Sequence, residues 1–447
     1  MDVTVQDMME ARDRRAQRQQ ELLAEYRQTL LCFTLNIPGP EKDSPLIRQG
    51  FRLGQRRLRQ GFLRLGVTPL HQEERLDFTG CEAFYVLPAG ALEIKGMTAD
   101  IEQADEVGRL YDMDVLRPDG SKVERQEIGL PERACLICGG EAKACARSRT
   151  HTVAALRARV DGILTQAVRQ DKRQTVARLA CQALLCEVLT TPKPGLVDRN
   201  NSGSHTDMNF FTFMDSADAL APYFRRMYLF GWDSAFDSPA ALFKRLRLLG
   251  QEAESAMYAA TRGVNTHKGL IFSLGLLSGA LGAWRHEHPD QPIDTVTLLS
   301  LAAQMARSAL DDFDRFADDT NGLHCYHLYH LTGIRGEAAQ GFPAVAQTGL
   351  PTLRHHLAAG LSVNDASVLT LLAFLSTVID TNMIRRGGLS QALSRRQEAQ
   401  RLLSTITPDT LIPTLTALDQ DYISNNLSPG GCADLLALSL FLVFIEG

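Results

Sequence analysis

Strand-like patterns occur only in the first part of this 447-residue chain. "LLCFTLNIPGP" alternates in hydropathy and ends at Pro38, Gly39 and Pro40, "AFYVL" follows at 83–87, and "GRLYDMDVLRPDG" closes in a Pro-Asp-Gly turn. From about Val160 onward such patterns fade, and long helical patterns separated by loops rich in Gly, Pro and Asn replace them. The sequence therefore predicts a multidomain protein in which an N-terminal α/β (α+β) domain precedes an all-α helical domain.

The polar stretch "VRQDKRQ" marks the expected boundary between these two parts. We predict an N-terminal domain over residues 1–165 and a helical domain over residues 170–447. A chain of this length is expected to form two or three domains.

Composition excludes several classes of protein. The net charge of −5 provides no overall basic field for nucleic acid. The longest apolar runs, Leu270–Trp284 and Ala366–Ile379, are too short and too rich in Gly and Ser to span a bilayer, and the N-terminus lacks an apolar signal-peptide core. Nine cysteines, an odd number, favour a reducing compartment with free or metal-bound thiols. We therefore expect a cytoplasmic protein with neither a nucleic-acid nor a membrane partner.

The segment "GRLYDMDV" at 108–115 carries the sharpest chemical signal of the first domain. On a strand, side chains alternate between faces, so Asp112 and Asp114 point the same way. Adjacent carboxylates repel unless a cation lies between them, and an incomplete set of oxygen ligands suits Mg²⁺ on a nucleotide. Arg109 is close enough in sequence to meet a phosphate. The same pattern also fits a solvent-facing strand edge, and the spacing alone leaves both interpretations open.

A cluster of thiols follows in "RACLICGGEAKACARSRTH" at 133–151. Cys135, Cys138, Cys145 and His151 match a zinc site in number and type of ligand, although their spacing is not that of a standard finger. The alternatives are cysteines that pack as small apolar residues, or a phosphate site formed by the neighbouring arginines and His151.

One segment of the first domain is purely basic. "SPLIRQGFRLGQRRLRQGFLRLG" at 44–66 contains six arginines and no acidic residue. Arg48, Arg52, Arg56 and Arg59 recur at helical spacing and form what we call the arginine stripe. A charged stripe is most often a solvated face, but a stripe of a single sign also suits an acidic protein partner or phosphates.

In the helical domain, polar residues concentrate in four segments that interrupt apolar helices. Each segment alone is more often a helix cap or a turn than a site. Together they share one chemistry, and clustered at one end of a bundle they would form a pocket for a metal and a polyphosphate. A helix start also attracts anions through its free N–H groups. The candidates are Lys193, Asp198, His205 and Asp207 in "TPKPGLVDRNNSGSHTDMNFF"; Asn265, His267 and Lys268 in "GVNTHKGLIF", preceded by Glu254; Asp380 and Arg386 in "DTNMIRRGGLS"; and the segment "NNLSPGGCADLLA".

These segments resemble two known families. "EVLTTPKPGLVDRNNSGSHTDM", "GVNTHKGLIF", "GIRGEAAQGFP", "DTNMIRRGG" and "SPGGCADLLA" are similar to triphosphoribosyl-dephospho-CoA synthase over 172–447. "LNIPGPEK", "EAFYVLPAGALEIK", "GRLYDMDV" and "CLICGGEAKACARSRTH" resemble apo-citrate lyase phosphoribosyl-dephospho-CoA transferase over roughly 20–165. The chain looks like a fusion of the two, with a nucleotidyltransferase-like first domain. The Gly-Ser turn that often precedes an Asp-x-Asp pair is missing here.

The resemblance implies a bifunctional transferase. The helical domain would join ATP to 3′-dephospho-CoA, forming 2′-(5″-triphosphoribosyl)-3′-dephospho-CoA and releasing adenine. The first domain would then transfer this group to a serine of the acyl carrier (gamma) subunit of apo-citrate lyase and release pyrophosphate. The arginine stripe would dock that carrier, which the resemblance leads us to expect is acidic.

On this basis we assign roles to the candidate residues. In the first step the substrate contacts would be Lys193, His205, Asn265, His267, Lys268 and Arg386, with Asp198, Asp207 and Asp380 on Mg²⁺ and Glu254 as base. In the second step Asp112 and Asp114 would hold Mg²⁺, Arg109, Lys42 and Lys95 would face the pyrophosphate, and Glu102 would be a third carboxylate. The alternative function is a magnesium-dependent N-glycosidic hydrolase fused to a carrier-protein interaction module.

Overall fold

The structure, a computed structural model, describes residues 2–234, 238–288, 291–311, 313 and 321–446. The chain divides into two compact units, Met1–Lys172 and Arg173–Gly447. The division falls inside a continuous helix and not in a loop, because the polar stretch near residue 170 keeps helical geometry.

The first unit is built around a four-stranded antiparallel sheet with strand order β2-β3-β1-β4. Its fold is therefore α+β, as expected from the sequence. The elements in chain order are α1 Val5–Tyr26, β1 Thr29–Leu35, α2 Pro45–Leu65, β2 His71–Asp77, β3 Gly80–Leu87, α3 Ala91–Gln103, a 3₁₀ turn Gly108–Leu110, β4 Tyr111–Leu116, a 3₁₀ turn Arg125–Ile128, α4 Ala142–Ser148 and α5 Val153–Leu189.

Alternation along β1 places apolar residues on both faces of the sheet. Leu31 and Phe33 pack into the main core with α2 and α3, and the Phe33 ring stacks on Phe51 with centroids 4.7 Å apart. Leu30 and Cys32 face the opposite side, which α1 covers. Both faces of β1 are thereby removed from water, which stabilises it as an inner strand of the sheet.

The strand β2 was not predicted. Its sequence "HQEERLD" carries four charged residues and shows no apolar alternation, so strand propensity gives no signal. The strand lies at the edge of the sheet, where charged side chains remain in solvent and hinder pairing with other chains.

The outer edge of β4 is satisfied by side chains. The Arg133 guanidinium donates to the Tyr111 carbonyl at 2.8 Å, and the Met113 N–H donates to Glu102 at 3.0 Å. The Lys95 ammonium donates to the Met113 carbonyl, also at 3.0 Å. Buried backbone groups at a strand edge need such partners, so these charged residues complete the sheet.

The second unit is helical throughout its described residues. Its centre is α8, in which every residue from Ser273 to Trp284 is buried. The apolar run of this helix therefore belongs to the core. The elements are α6 Phe210–Asp233, α7 Pro239–Ala260, α8 Lys268–Glu287, α9 Thr295–Ala306, a 3₁₀ turn Arg307–Ala309, α10 Asn321–Tyr329, α11 Gly333–Ala339, a π turn Val345–Gly349, α12 Leu350–Ala358, α13 Val363–Thr377, α14 Thr381–Thr405, α15 Pro408–Ser424 and α16 Gly430–Glu446.

Within the described ranges, no single helix combines the length and apolarity that a bilayer crossing requires. The pair α13 and α14 reaches the threshold only when taken together, and it is bent by 51°.

Candidate active sites

The first unit carries the aspartate pair on β4. Asp112 and Asp114 alternate with the buried Tyr111, Met113 and Val115, so both carboxylates lie on the same face, as predicted. This is the face that α1 covers further along the sheet. The strand alternation thus brings two acidic groups together where the helix does not reach them.

The two carboxylates have different surroundings. Lys122 contacts Asp114 at 2.5 Å, whereas Asp112 has no partner among the described residues. Although Asp112 is exposed, its pKa is raised, first because the surrounding protein limits hydration of the carboxylate and second because Asp114 is negative; Arg133 opposes the shift. An unpaired carboxylate beside a like charge is an arrangement that a cation would relieve.

Arg109 and Lys95 were predicted to face the pyrophosphate beside this pair. Arg109 donates to the carbonyls of Ala134 and Cys135 at 2.8 and 3.1 Å and so fastens the thiol segment to the end of β4. Lys95 is buried, and its ammonium serves the Met113 carbonyl. The described contacts of these two residues are to backbone oxygens, and their pyrophosphate contacts stay a prediction.

Lys42 and Glu102 are also held elsewhere. The Lys42 ammonium donates to the Ile37 carbonyl at 2.5 Å, and burial together with nearby Arg157 lowers its pKa. Glu102 is buried and binds Arg125 at 2.8 Å and Arg133 at 2.5 Å, besides accepting from β4. No hydrogen bond or ion pair joins either residue to the aspartate pair among the described residues, and their roles in the second step stay predictions.

The thiol segment gathers its four predicted ligands. One ligand atom each of Cys135, Cys138, Cys145 and His151 lies within 4.8 Å of all the others. The sulfurs of Cys138 and Cys145 are 3.4 Å apart. Hydrogen bonds from the backbone N–H groups of Cys138 and Ile137 lower the pKa of Cys135 to about 6.

The arginine stripe is partly neutralised. Arg48 and Arg56 pair with carboxylates of neighbouring segments at 2.6 and 2.5 Å. Arg52 and Arg59 are exposed on α2 and have no acidic partner among the described residues. The positive charge available to a partner is therefore concentrated on the latter two.

The second unit contains a cleft of about 1550 Å³. All four polar segments reach its wall. The predicted residues that line it are Lys193, His205, Asp207, Glu254, Asn265, His267, Lys268, Asp380 and Arg386. Of the residues assigned to the first step, Asp198 alone does not line this cleft.

Asp198 shapes the loop that precedes α6. Its carboxylate accepts from the backbone N–H groups of Lys193, Asn200 and Asn201 at 3.0, 2.6 and 3.1 Å. Gly195 has a φ of +69°, and a Cβ there would lie 2.1 Å from the Leu427 carbonyl oxygen. The carboxylate of Asp198 therefore holds the loop, and its roles at magnesium and in catalysis stay predictions.

Asp380 is likewise a capping residue. It is the N-cap of α14, where it accepts from Asn382 and Met383, and its second oxygen accepts from the Cys432 N–H at 2.9 Å. Burial raises its pKa, while those three N–H donors oppose the shift. It lines the cleft, and its oxygens accept from backbone N–H groups that anchor two helices; its role as a magnesium ligand stays a prediction.

Lys193 is held in a buried ion pair with Glu187, and both side chains are almost fully removed from solvent. Burial raises the pKa of Glu187, and Lys193 opposes that shift. Both residues of this pair line the cleft, and the phosphate contact of Lys193 stays a prediction.

The helix start that raised the phosphate hypothesis is capped. The Asn265 side chain accepts from the Lys268 N–H at 3.2 Å, and the Lys268 ammonium contacts Glu254 at 3.0 Å. Lys268 is half-exposed and stays at the cleft wall. Capping and a phosphate contact are therefore compatible here, but Glu254 is neutralised as a base.

His267 is buried and uncharged. Thr266 donates to Ser216 at 2.8 Å, and the Ser216 hydroxyl lies 2.7 Å from His267 Nδ1. With Ser216 donating to Nδ1, the ring proton would lie on Nε2, which is buried and has no hydrogen-bond partner among the described residues. Burial and nearby Lys193 lower the pKa of His267 to about 3.

A basic group stands at the cleft rim. Arg386 donates to the Ser204 carbonyl and to Asn426 Oδ1, each at 2.8 Å. His205 contacts the Ser428 hydroxyl at 2.9 Å, and the exposed Asp207 lies 3.9 Å from the His205 ring. These contacts join the first, third and fourth polar segments at the rim.

Comparison with known proteins matches both parts of the chain. Residues 173–447 match the family described as ATP:dephospho-CoA triphosphoribosyl transferase, and residues 3–167 match apo-citrate lyase phosphoribosyl-dephospho-CoA transferase. Protein CitXG of Haemophilus influenzae is 36% identical over 100% of this chain and 97% of its own length. Protein CitXG of Leuconostoc mesenteroides subsp. cremoris is 31% identical over 100% of this chain and 98% of its own.

The chain belongs to the CitXG family. It is a transferase of citrate lyase prosthetic-group synthesis and attachment, as its resemblance implied. A probable 2-(5″-triphosphoribosyl)-3′-dephosphocoenzyme-A synthase of Streptococcus mutans is 39% identical over 62% of this chain and 98% of its own length. These relatives do not favour the hydrolase alternative.

In this CitXG chain Lys122 was missed as a candidate, and Asp434 was predicted only as part of the fourth polar segment, without a role. Lys122 lies just beyond a turn and carries no sequence signal, but it is the cation on the aspartate pair. Asp434 stands in "SPGGCADLLA" on α16 and packs on α8, where a Cβ at Gly269 would lie 2.1 Å from its Oδ2. Part of Asp434 reaches the cleft. Burial of its carboxyl raises its pKa well above the usual range, and the negative charges of Glu187 and Asp380 add to this shift. Only the fold reveals that these carboxylates converge.

Proposed function

We propose that the cleft of the helical unit binds ATP and 3′-dephospho-CoA together and forms the triphosphoribosyl product. The observation that carries this proposal is the convergence of four separate polar segments on one cavity of about 1550 Å³. Single-ligand pockets usually measure about 300–1,000 Å³, so this cavity is large enough for two nucleotides.

The first step makes and breaks bonds at C1′ of the ATP ribose. The 2′-hydroxyl oxygen of dephospho-CoA forms a bond to C1′, the bond from C1′ to N9 of adenine breaks, and the hydroxyl proton passes to a carboxylate. Asp434 suits that base because it lines the cleft and its carboxylate has no cationic partner among the described residues. Glu254 suits it less because Lys268 pairs with it.

The remaining contacts follow from charge. Arg386 and Lys268, at the rim and wall, would bind the triphosphate. His267, which lines the cleft, would donate a hydrogen bond from Nε2 to the departing adenine, and the carboxyl that took up the hydroxyl proton would return it to adenine. Asp207 is the exposed carboxylate available to a magnesium ion on the triphosphate.

We assign the second step to the aspartate pair of β4. The carrier serine oxygen forms a bond to the α-phosphorus of the triphosphate, the bond from that phosphorus to the pyrophosphate oxygen breaks, and the serine proton leaves with pyrophosphate. Asp112 and Asp114 supply the hard oxygen donors that fit magnesium, and that ion, when bound, would offset charge on the phosphates. Lys122 would neutralise pyrophosphate in place of Arg109 and Lys95.

The protein partner of this step is the acyl carrier (gamma) subunit of citrate lyase. Arg52 and Arg59 are exposed and without acidic partners among the described residues, so they would attract an acidic carrier. The zinc ion expected at the cysteine cluster takes no part in either step.

Two matched variants test the division of labour. Asp434→Asn is expected to lower adenine release from ATP and dephospho-CoA at least about 100-fold, while carrier loading from preformed precursor continues. Asp114→Asn is expected to do the reverse. Adenine is measured by chromatography and carrier loading by intact mass.

Exposed aspartates provide the controls. Asp100→Asn in the first unit and Asp409→Asn in the second should retain both activities, because neither contributes to a site. If Asp434→Asn and Asp114→Asn each abolish both activities in a folded chain, the assignment of one step to each unit is wrong.

A further inference from the structure

The cysteine cluster has the composition and spacing of a closed metal site. Three sulfurs and one imidazole nitrogen lie within 4.8 Å of one another. In a tetrahedral zinc site with bonds of about 2.3 Å to sulfur, neighbouring sulfurs are about 3.8 Å apart. The observed distance of 3.4 Å between Cys138 and Cys145 is close to that value. Four ligands from cysteine and histidine leave no open position, which is characteristic of structural zinc.

The backbone builds this site from two local elements. Cys135 and Cys138 lie on a tight turn in which the Cys135 N–H donates to the Gly140 carbonyl at 2.6 Å and the Gly139 N–H donates back at 3.2 Å. The short helix α4 supplies Cys145, and His151 follows the end of that helix. A turn that presents two thiols, followed by a helix that presents a third, directs all ligands to one point.

Apolar packing does not explain why these side chains meet. The helix α4 contains no buried residue, and Cys135 is the one cysteine of the three that is buried. None of the four ligands belongs to a hydrophobic core cluster of the described residues. A segment with so little apolar burial needs another source of stability, such as a bound metal.

The histidine points to a ligand independently of the sulfurs. His151 Nε2 is buried and has no hydrogen-bond partner among the described residues. A buried polar nitrogen without a partner is costly, and coordination by a metal would satisfy it. A Cys138–Cys145 disulfide would leave both this nitrogen and Cys135 unexplained.

We propose that Cys135, Cys138, Cys145 and His151 bind one zinc ion that holds the segment from Gly129 to Thr152 in place. The zinc site includes neither Asp112 nor Asp114. Arg109 binds the Cys135 carbonyl, and Arg133 connects this segment to the Tyr111 carbonyl of β4 and to Glu102 of α3. The ion therefore stabilises the segment that supports the aspartate pair and takes no part in transfer.

Metal content of the full chain tests the proposal. The protein is purified with a tag that does not bind metal, in buffer without chelator, and analysed by elemental mass spectrometry. We expect about one zinc per chain, as for a single four-ligand site. Cys138→Ser and His151→Ala should each reduce zinc content at least about fivefold, since three ligands bind far more weakly. Cys186→Ser, a half-buried thiol of the helical unit, should leave it unchanged.

Cobalt provides a readout that does not depend on activity. Replacing the ion with Co²⁺ in the wild-type chain should give a thiolate-to-metal charge-transfer band and the intense visible bands of tetrahedral coordination, and both should be lost in Cys138→Ser. Circular dichroism of each variant establishes that the helical unit remains folded. Metal-free wild-type protein that also fails to bind Co²⁺, or a Cys138–Cys145 disulfide found by non-reducing peptide mapping of freshly prepared protein, would overturn the proposal.

Discussion

Replacing Lys193 by methionine is expected to destabilise the helical unit, because it leaves the Glu187 carboxylate buried without its cation. The two side chains are 2% and 3% exposed. Removing one partner of a buried pair costs about 3–5 kcal/mol. For a unit of this size, a loss of 1 kcal/mol lowers Tm by about 2 °C, so the expected decrease is about 6–10 °C.

The pH dependence of this loss has a defined sign. Burial raises the pKa of Glu187 above its unfolded value, and removal of Lys193 strengthens that shift. Below an unfolded pKa of 4.5 the carboxyl is protonated in both states and the variant pays no penalty. As pH rises from there towards the raised pKa, the folded state keeps a proton that the unfolded state releases, and stability falls. Lys193→Met should therefore differ most from wild type near neutral pH.

The assay is thermal unfolding of the full chain by calorimetry, in parallel with adenine release. Glu187→Gln with Lys193→Met should recover more than half of the lost stability, because no unpaired charge remains. Lys244→Met, an exposed lysine on α7, serves as the matched control and should change stability by less than about 0.5 kcal/mol. If Lys193→Met unfolds with the control but abolishes adenine release, Lys193 contacts substrate and the reasoning about the pair is refuted.

Two further predictions concern the cleft floor. The pKa of His267 is lowered to about 3 from 6.5, so its contribution to stability is complete above pH 6.5 and falls by about 1.4 kcal/mol per pH unit below it. His267→Gln should remove this dependence of the unfolding free energy on pH, as measured by chemical denaturation. An unchanged pH dependence contradicts a neutral buried ring. Gly269→Ala places a methyl group 2.1 Å from Asp434 Oδ2 and should lower adenine release at least about tenfold. Gly250→Ala, whose nearest atom is 4.0 Å away, is its control, and equal activities would argue against Asp434 as base.

The sequence predicted those parts of the first unit that have a clear period. Alternation identified β1, β3 and β4 and placed Asp112 and Asp114 on one face, because a strand repeats every two residues. It could not identify β2, whose pairing partner and not its own composition makes it a strand. It also could not predict the side chains that serve the edge of β4, since Lys95 and Glu102 come from α3 and Arg133 from the thiol segment.

For the helical unit, the sequence predicted which segments form the cleft better than what each residue does. Polar, helix-breaking segments between apolar helices do converge on one cavity. Whether a carboxylate in such a segment faces the cavity or its own backbone depends on local geometry. Asp198 and Asp380 bind N–H groups of their own loops and helix ends, whereas Asp434, in the middle of an apolar pattern, faces the other carboxylates.

The side chains along the outer edge of β4 also restrict how another protein can approach. With the carbonyls of Tyr111 and Met113 already accepting from Arg133 and Lys95, this edge offers no main-chain donors or acceptors there for strand addition. A polypeptide presenting its serine to Asp112 must therefore be recognised through side chains and shape. Such recognition tolerates a serine displayed on a helix or a tight loop. The same side chains protect the chain from edge-to-edge aggregation at this strand.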